Sequence, residues 1–465
     1  MRWLTVLVTV YLAIGELLVA QQPIALRGVT VIDGTGAAPL RDAVVVIEGN
    51  RITAFGPRDR IRIPGGAAIQ DLTGKYLLPG FIDMHAHAAF GPVSTTGEGA
   101  QIQLRMDYDD AASVEMLRRL LEYGVTTIRN PAGPAREAVA LRDRVARGEL
   151  PGPRTFTAGE VIDFSTSPGL GVGARTDSAV RAAVRDQVAV GVDYIKLYAG
   201  LAPGLVAAGV DEAHKLGKKA IVHTFLTSWT EAARSGIDGI VHIVPGNPRL
   251  LPPDRRAAYM KSITGTQFMY TWFQFVDLNA PEIDTMVTAL VEQKVVLDPT
   301  LVTFEAMFRG NDTAITRSPD LVSAPPSLLR NWQEFQLSKG WSEADFTAAQ
   351  ATWPTVLRFT KMLYDRGVFL VVGTDSPNPW AAPGTSFHRE LELYVAAGIP
   401  PLQVLRMATE SGAQALGIDG QVGTVAQGKQ ADLVLLDADP LRDIRNTRRI
   451  AWVMQNGRLV HQKPR

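Results

Sequence analysis

The 465-residue chain contains no cysteine. That single absence removes thiolate metal ligands, a cysteine nucleophile and any disulfide framework, so metal chemistry here must be done by nitrogen and oxygen donors. Net charge is absent too: 47 basic residues balance 47 acidic ones, and no Lys/Arg run follows any segment. No nucleic-acid partner is expected, because there is no basic footprint to neutralise phosphates. The G-x-S-x-G elbow of serine hydrolases does not occur. Gly169-Leu170-Gly171-Val172-Gly173 lacks the lysine and the spacing of a phosphate cradle. It reads as a flexible rim loop.

What is present is an ordinary globular composition, 46% hydrophobic and 20% charged. The length suits one large α/β domain with a satellite. Met1-Arg2-Trp3, the apolar run Leu4 to Leu18 and the small residue Ala20 have the layout of a secretory signal peptide. Residues 1–20 are therefore set apart from the fold, and a secreted or periplasmic location is expected. The run is shorter than the roughly 20 residues of a spanning helix, so no stable membrane association is expected after cleavage. An exported chain without cysteine is stabilised without disulfides even where they could form.

Residues 24–79 alternate short β-branched runs with Gly, Pro and Asp turns, as in Val29 to Ile32, Ala43 to Glu48 and Arg51 to Phe55. The last 45 residues look alike, with Ala431 to Leu436, Ile450 to Leu459 and the turn signal Asn456-Gly457. Neither piece can bury a good core alone. Residues 21–79 and 419–465 are therefore expected to combine in a small β-sandwich flanking a domain at 80–418. In that middle region short apolar strands alternate with helix-length amphipathic segments. Eight strands can be counted, beginning at Phe81, Thr126, Thr155, Tyr194, Ala220, Gly239, Val295 and Val368. Eight alternating units predict an α/β fold of the closed (β/α)8 TIM-barrel type, although counting alone also allows an open sheet. Two excursions, 245–280 after the sixth strand and 302–352 after the seventh, would sit on the carboxyl rim where barrels hold substrates.

Chemistry-bearing residues recur at the carboxyl ends of these strands. His85 and His87, two apart in an extended chain, point to one face and can share one metal ion. Lys196 lies in the fourth strand, His223 closes the fifth, His242 follows in the sixth and Asp375 closes the eighth. Each alone is commonly structural. Together they place six potential metal-site groups at one end of one barrel.

This set resembles the metal-dependent amidohydrolase superfamily, especially its imidazolonepropionase-like and prolidase-like (Xaa-Pro dipeptidase-like) branch. Pro79 to His87 is similar to the first metal motif, Tyr194-Ile195-Lys196-Leu197 to the lysine strand, Phe387 to Leu391 with Ala397 to Pro400 to the helices after the barrel, and Gly423 to Leu436 to the closing β-segment. The resemblance covers nearly all of the chain beyond residue 20. It implies two divalent metal ions, zinc first, with manganese, iron or cobalt as alternatives. CO2 would convert Lys196 to a carbamate, whose two oxygens can bridge metals about 3.5–4 Å apart. His85, His87 and Asp375 would hold one ion, and His223 and His242 the other. A metal-bridging hydroxide would attack the carbonyl of a carbon–nitrogen acyl bond, with Asp375 as the catalytic proton carrier.

Such an enzyme takes a small-molecule or peptide substrate: a peptide, a dipeptide or an N-acyl amino acid. A lactone, ester or cyclic amide would suit the same centre, and a metal-bearing binding protein without catalysis is the reading from another class. A homo-oligomer is left open. Three departures from the branch bear on substrate: Phe225 stands where a tyrosine is common, Ile243 replaces a small glycine, and Arg129-Asn130 lacks an acidic residue. Tyr198, Phe225 and His388 are the candidate substrate contacts.

Overall fold

The computed structural model describes residues 22–96 and 103–463. The segment read as a signal peptide lies outside the described residues. Eight parallel strands form the barrel: Phe81–Asp83, Val125–Asn130, Arg154–Thr157, Tyr194–Leu197, Lys219–Val222, Gly239–Val241, Val296–Asp298 and Phe369–Leu370. They are numbered one to eight below. Strands one to three pair in order, as do strands four to eight. A bridge from Ala158 to Tyr194 joins strand three to strand four. Closure comes where the Met84 amide donates to the Val372 carbonyl at 2.8 Å and Ala86 bridges Ser376. The sheet is therefore closed, and the open alternative falls.

The helix-length amphipathic segments between the strands are helices at Asp110–Glu122, Asp177–Val190, Pro203–Lys215 and Pro281–Glu292. Their starts follow local chemistry. The side chains of Asp109 and Thr176 accept the amides of Ala112 and Ala179, while Pro203 and Pro281 occupy first-turn positions that need no amide donor.

The two chain ends meet in one eight-stranded sheet, in which Leu433–Leu436 pairs antiparallel with both Tyr76–Pro79 and Ile450–Gln455. Alternation serves two cores. Leu433 and Leu435 face the sheet's own core with Leu26, Val45, Ile47 and Trp452, whereas Val434 and Leu436 pack toward the barrel's helices. This sheet leads directly into the site: the Gly80 amide donates to the Asp432 carbonyl at 2.8 Å, and barrel strand one begins at the next residue.

The rim excursions carry their own helices, Pro253–Ser262 and Phe268–Phe275 in the first, and Leu301–Phe308, Pro326–Glu334 and the start of Glu343–Asp365 in the second. Trp332 and Trp341 pack within them, their indole N–H groups donating to the Pro377 carbonyl and Thr266 Oγ1. The glycine-rich segment is not the loose loop expected. Gly171–Gly173 pairs in parallel with Val161–Asp163. A Cβ at Gly169 would collide with the Met106 carbonyl, and one at Gly171 with Val161, so these glycines serve close packing rather than mobility.

Candidate active site

All six predicted metal-site residues, His85, His87, Lys196, His223, His242 and Asp375, line one cleft at the carboxyl end of the barrel. Its deepest feature is a carboxylate shared by two imidazoles: Asp375 Oδ1 lies 3.2 Å from His85 Nε2 and 3.0 Å from His87 Nε2. Burial pushes the Asp375 carboxyl up, but the facing His85 and His242 and hydrogen bonds from His85 and His87 outweigh it and hold the group well below the usual carboxylate range. The His242 ring lies 4.8 Å from that of His85 and 4.5 Å from that of His223, centroid to centroid.

Each ring is aimed by its outer partner. His87 Nδ1 faces the Ala132 carbonyl at 3.3 Å, and His242 Nδ1 faces Thr300 Oγ1 at 2.8 Å. His85 Nδ1 lies 2.9 Å from Asp298 Oδ1, while the other oxygen of that carboxylate accepts from Arg129. Arg129 Nε also donates to the Met84 carbonyl at 2.8 Å, fastening strand two to the end of strand one. With Nδ1–H donating to Asp298, His85 presents Nε2 to the cleft. His223 Nδ1 differs: it is buried and has no hydrogen-bond partner among the described residues.

The backbone is bent to make these approaches. His242, Thr300 and Asp375 have φ of 72°, 51° and 58°, in the left-handed region that non-glycine residues seldom adopt. Hydrogen bonds hold two of them there: the Asp375 amide donates to the His85 carbonyl at 2.7 Å and the His242 amide to the Asp298 carbonyl at 2.8 Å. Between them lies Gly373, where a Cβ would stand 2.8 Å from His85 Cβ and 3.1 Å from Asp298 Cβ. Gly373→Ala is expected to cost about 1–3 kcal/mol of stability and to lower turnover by displacing His85. A thermal melt read beside kcat checks both, and an unchanged pair would mean that the strands part freely at this point.

Asp298 is the functional residue that sequence reading missed. Its signal was available, since it closes strand seven as Asp375 closes strand eight. What could not be read was that His85 and Arg129 reach it from strands one and two. Asp298→Asn is expected to weaken metal affinity about 10–100-fold and to lower thermal stability by leaving Arg129 buried without its counter-charge. Metal titration of the stripped variant measures the first effect, and wild-type affinity would remove Asp298 from the orienting role.

Lys196 is buried, and burial pulls its ammonium down to about 7, Asp298 opposing and Arg129 reinforcing the shift. Burial likewise pulls His223 down to about 3, with the Lys196 charge adding to it, and holds His242 well below the usual histidine range. Neutral imidazoles are the form that binds metal. Four imidazoles, a carboxylate, a readily neutralised amine and the orphaned Nδ1 of His223 therefore fit divalent cations. His85 and His87 with Asp375 already bring three ligand atoms within 4.8 Å of one another.

The cleft encloses about 170 Å³. Its walls are mostly apolar: Phe90, Val93 and Leu104 on one side, Val161 and Leu170 on another, and Met269, Phe304, Phe335 and Leu337 from the two rim excursions. Tyr198 lines it, its ring 4.7 Å from that of His223. The other two substrate candidates do not. Phe225 stacks on Phe268 at 4.7 Å and helps seat the first excursion. His388 is fully buried beneath the barrel wall, with Nδ1 2.9 Å from Thr447 Oγ1 and Nε2 3.1 Å from the Tyr123 carbonyl. Nor does it pair with Glu390, whose carboxylate accepts the Leu301 and Val302 amides at the start of their helix. Ile243 lies in the core rather than on the cleft wall.

A closed eight-stranded barrel with histidines just after strands one, five and six, a lysine on four and an aspartate after eight defines a class of (β/α)8 hydrolases. Residues 76–460 match the model of the Amidohydrolase family, and the chain belongs to that family. It is similar to imidazolonepropionase of Streptomyces griseus, 26% identical over 87% of this chain and 88% of that protein. Among solved structures, one from Bifidobacterium longum, provisionally described as a prolidase, is 25% identical, covers 96% of both chains and has a TM-score of 0.69. A Xaa-Pro dipeptidase with bound methionine is 20% identical, with a TM-score of 0.70 over 95% of this chain and 100% of that one. The protein is a hydrolase acting on C–N bonds.

Proposed function

We propose that the protein is an exported amidohydrolase with a binuclear metal centre that hydrolyses the carbon–nitrogen acyl bond of a peptide or N-acyl compound. The observation that carries this is the convergence of His85 Nε2 and His87 Nε2 on Asp375 Oδ1 at the base of an apolar cleft. His85, His87 and Asp375 would hold one cation, His223 and His242 the other, and Lys196, as a carbamate, would bridge them. When bound, the two cations would supply a water acidified toward neutrality and a Lewis acid for the acyl oxygen.

The chain's own residues do the rest. Asp375 takes a proton from the attacking water, whose oxygen bonds to the acyl carbon. The same carboxyl then delivers that proton to the nitrogen as the carbon–nitrogen bond breaks, leaving an acid and an amine. Asp298 keeps the His85 ring in one tautomer, the Tyr198 ring stands beside His223 on the cleft wall, and the apolar walls exclude bulk water, which strengthens the polar interactions. Export rests on the amino-terminal apolar run. Among the described residues no helix is long and apolar enough to cross a membrane.

The test combines metal content with a substrate panel. About two metals per chain are expected, with hydrolysis of N-acyl compounds or peptides that a chelator abolishes and added metal restores. Turnover of lactones or esters alone would transfer the centre to the second reading. Full metal content with no turnover of any compound would favour a binding protein.

A further inference from the structure

The cleft has almost nothing with which to hold an anion. Among the described residues that line it, Lys196 is the only lysine or arginine, and it stands among the metal-site histidines. Away from the histidines the charged group on the wall is an acid, Asp163. It accepts the Gly200 amide at 2.8 Å and a hydrogen bond from the Phe164 backbone, and among the described residues it has no cationic partner. Arg175, close by in sequence, is spent elsewhere: its guanidinium lies 4.9 Å over the Phe164 ring and donates to the Phe164 carbonyl. The apolar character continues outside the mouth, where exposed Phe164 and Leu226 flank the turn at Ala199-Gly200.

We propose that the compound cleaved here is apolar and carries no carboxylate on its leaving group, and that Asp163 accepts a hydrogen bond from an N–H of that leaving group. The inference rests on the hydrolytic reading above and narrows it. A free carboxylate on the leaving group, held on the side away from the metal-site histidines, would lie against Phe and Leu side chains with no lysine or arginine to pair with, and would face Asp163 as a like charge. A leaving group whose carboxyl is masked as an amide meets neither penalty and offers Asp163 a further donor beside the Gly200 amide. Dipeptides and simple N-acyl amino acids are thereby disfavoured. Lipophilic N-acyl amides, and peptides cleaved away from their carboxyl end, are favoured.

A matched pair tests this on the metal-loaded enzyme: N-hexanoyl-phenylalanine and its N-methylamide, compared by kcat/KM at the hexanoyl bond. The uncharged compound is expected to lead by about tenfold or more, and Asp163→Asn is expected to shrink that ratio several-fold while retaining the Gly200 contact. Preference for the free acid overturns the proposal, and an unchanged ratio in Asp163→Asn overturns the part given to Asp163. Equilibrium binding of the two corresponding ketomethylene analogues, which cannot be hydrolysed, supplies an independent reading. Tighter binding of the acid analogue refutes the inference whatever the turnover. If neither amide is hydrolysed but the uncharged analogue binds more tightly, the reaction assigned above fails and the selectivity stands.

Discussion

Asp375→Asn will lower kcat by about a thousandfold while leaving the barrel folded and most of the metal in place. The asparagine keeps the shape of the side chain and one coordinating oxygen, so the strand-eight turn, held by the Asp375 amide on the His85 carbonyl, has no reason to open. What disappears is the carboxylate's capacity to take up a proton and release it. Burial opposes the ionised form, and the facing histidines outweigh it and hold the carboxyl well below the usual carboxylate range. The measurement is kcat with metal content and melting temperature read on the same preparation. Activity near the wild-type rate in a metal-loaded, folded variant would remove Asp375 from proton transfer.

Lys196→Ala is expected to empty the centre, both metals being lost together, and activity should vanish with them. A small acid such as formate or acetate, placed where the carbamate oxygens would be, should recover part of the metal content. Unchanged metal content would show that Lys196 is not the bridge. The same residue makes a pH prediction. Only the neutral amine reacts with CO2, and burial has brought the Lys196 ammonium to about 7, so the reactive fraction rises as pH rises through that value. Metal-stripped wild-type protein should therefore reload faster in bicarbonate at about pH 8 than at about pH 6. Equal rates would argue against carbamate formation as the controlling step.

Much of this architecture could be read from local pattern. Four-residue apolar runs such as Tyr194–Leu197 and Lys219–Val222 are too short for helices and recur between amphipathic segments. The placement of histidine, lysine and aspartate at their ends then pointed to one rim. The metal-site candidates were legible because each sits at a strand end, a position fixed by its own neighbours in sequence. Asp298, Arg129 and Thr300 were not, because their roles arise from the approach of separate strands. Phe225 and His388 show the opposite error. They lie near the motifs in sequence, yet Phe225 turns to the first excursion and His388 is drawn under the wall by Thr447 and the Tyr123 carbonyl. The cleft wall was the least legible part, since Met269, Phe304, Phe335 and Leu337 come from two excursions with no periodic signature.

The pairing of the chain's two ends has a consequence in time. Strand one, with its two histidines, is anchored through Gly80 to Asp432, and the strand before it is paired with Leu433–Leu436. During synthesis the first histidines are made long before the partners that fix their strand. Contacts so distant in sequence form slowly. A growing chain therefore cannot present a finished centre. The six side chains of the site come together only once the strand at Leu433–Leu436 has paired with Tyr76–Pro79.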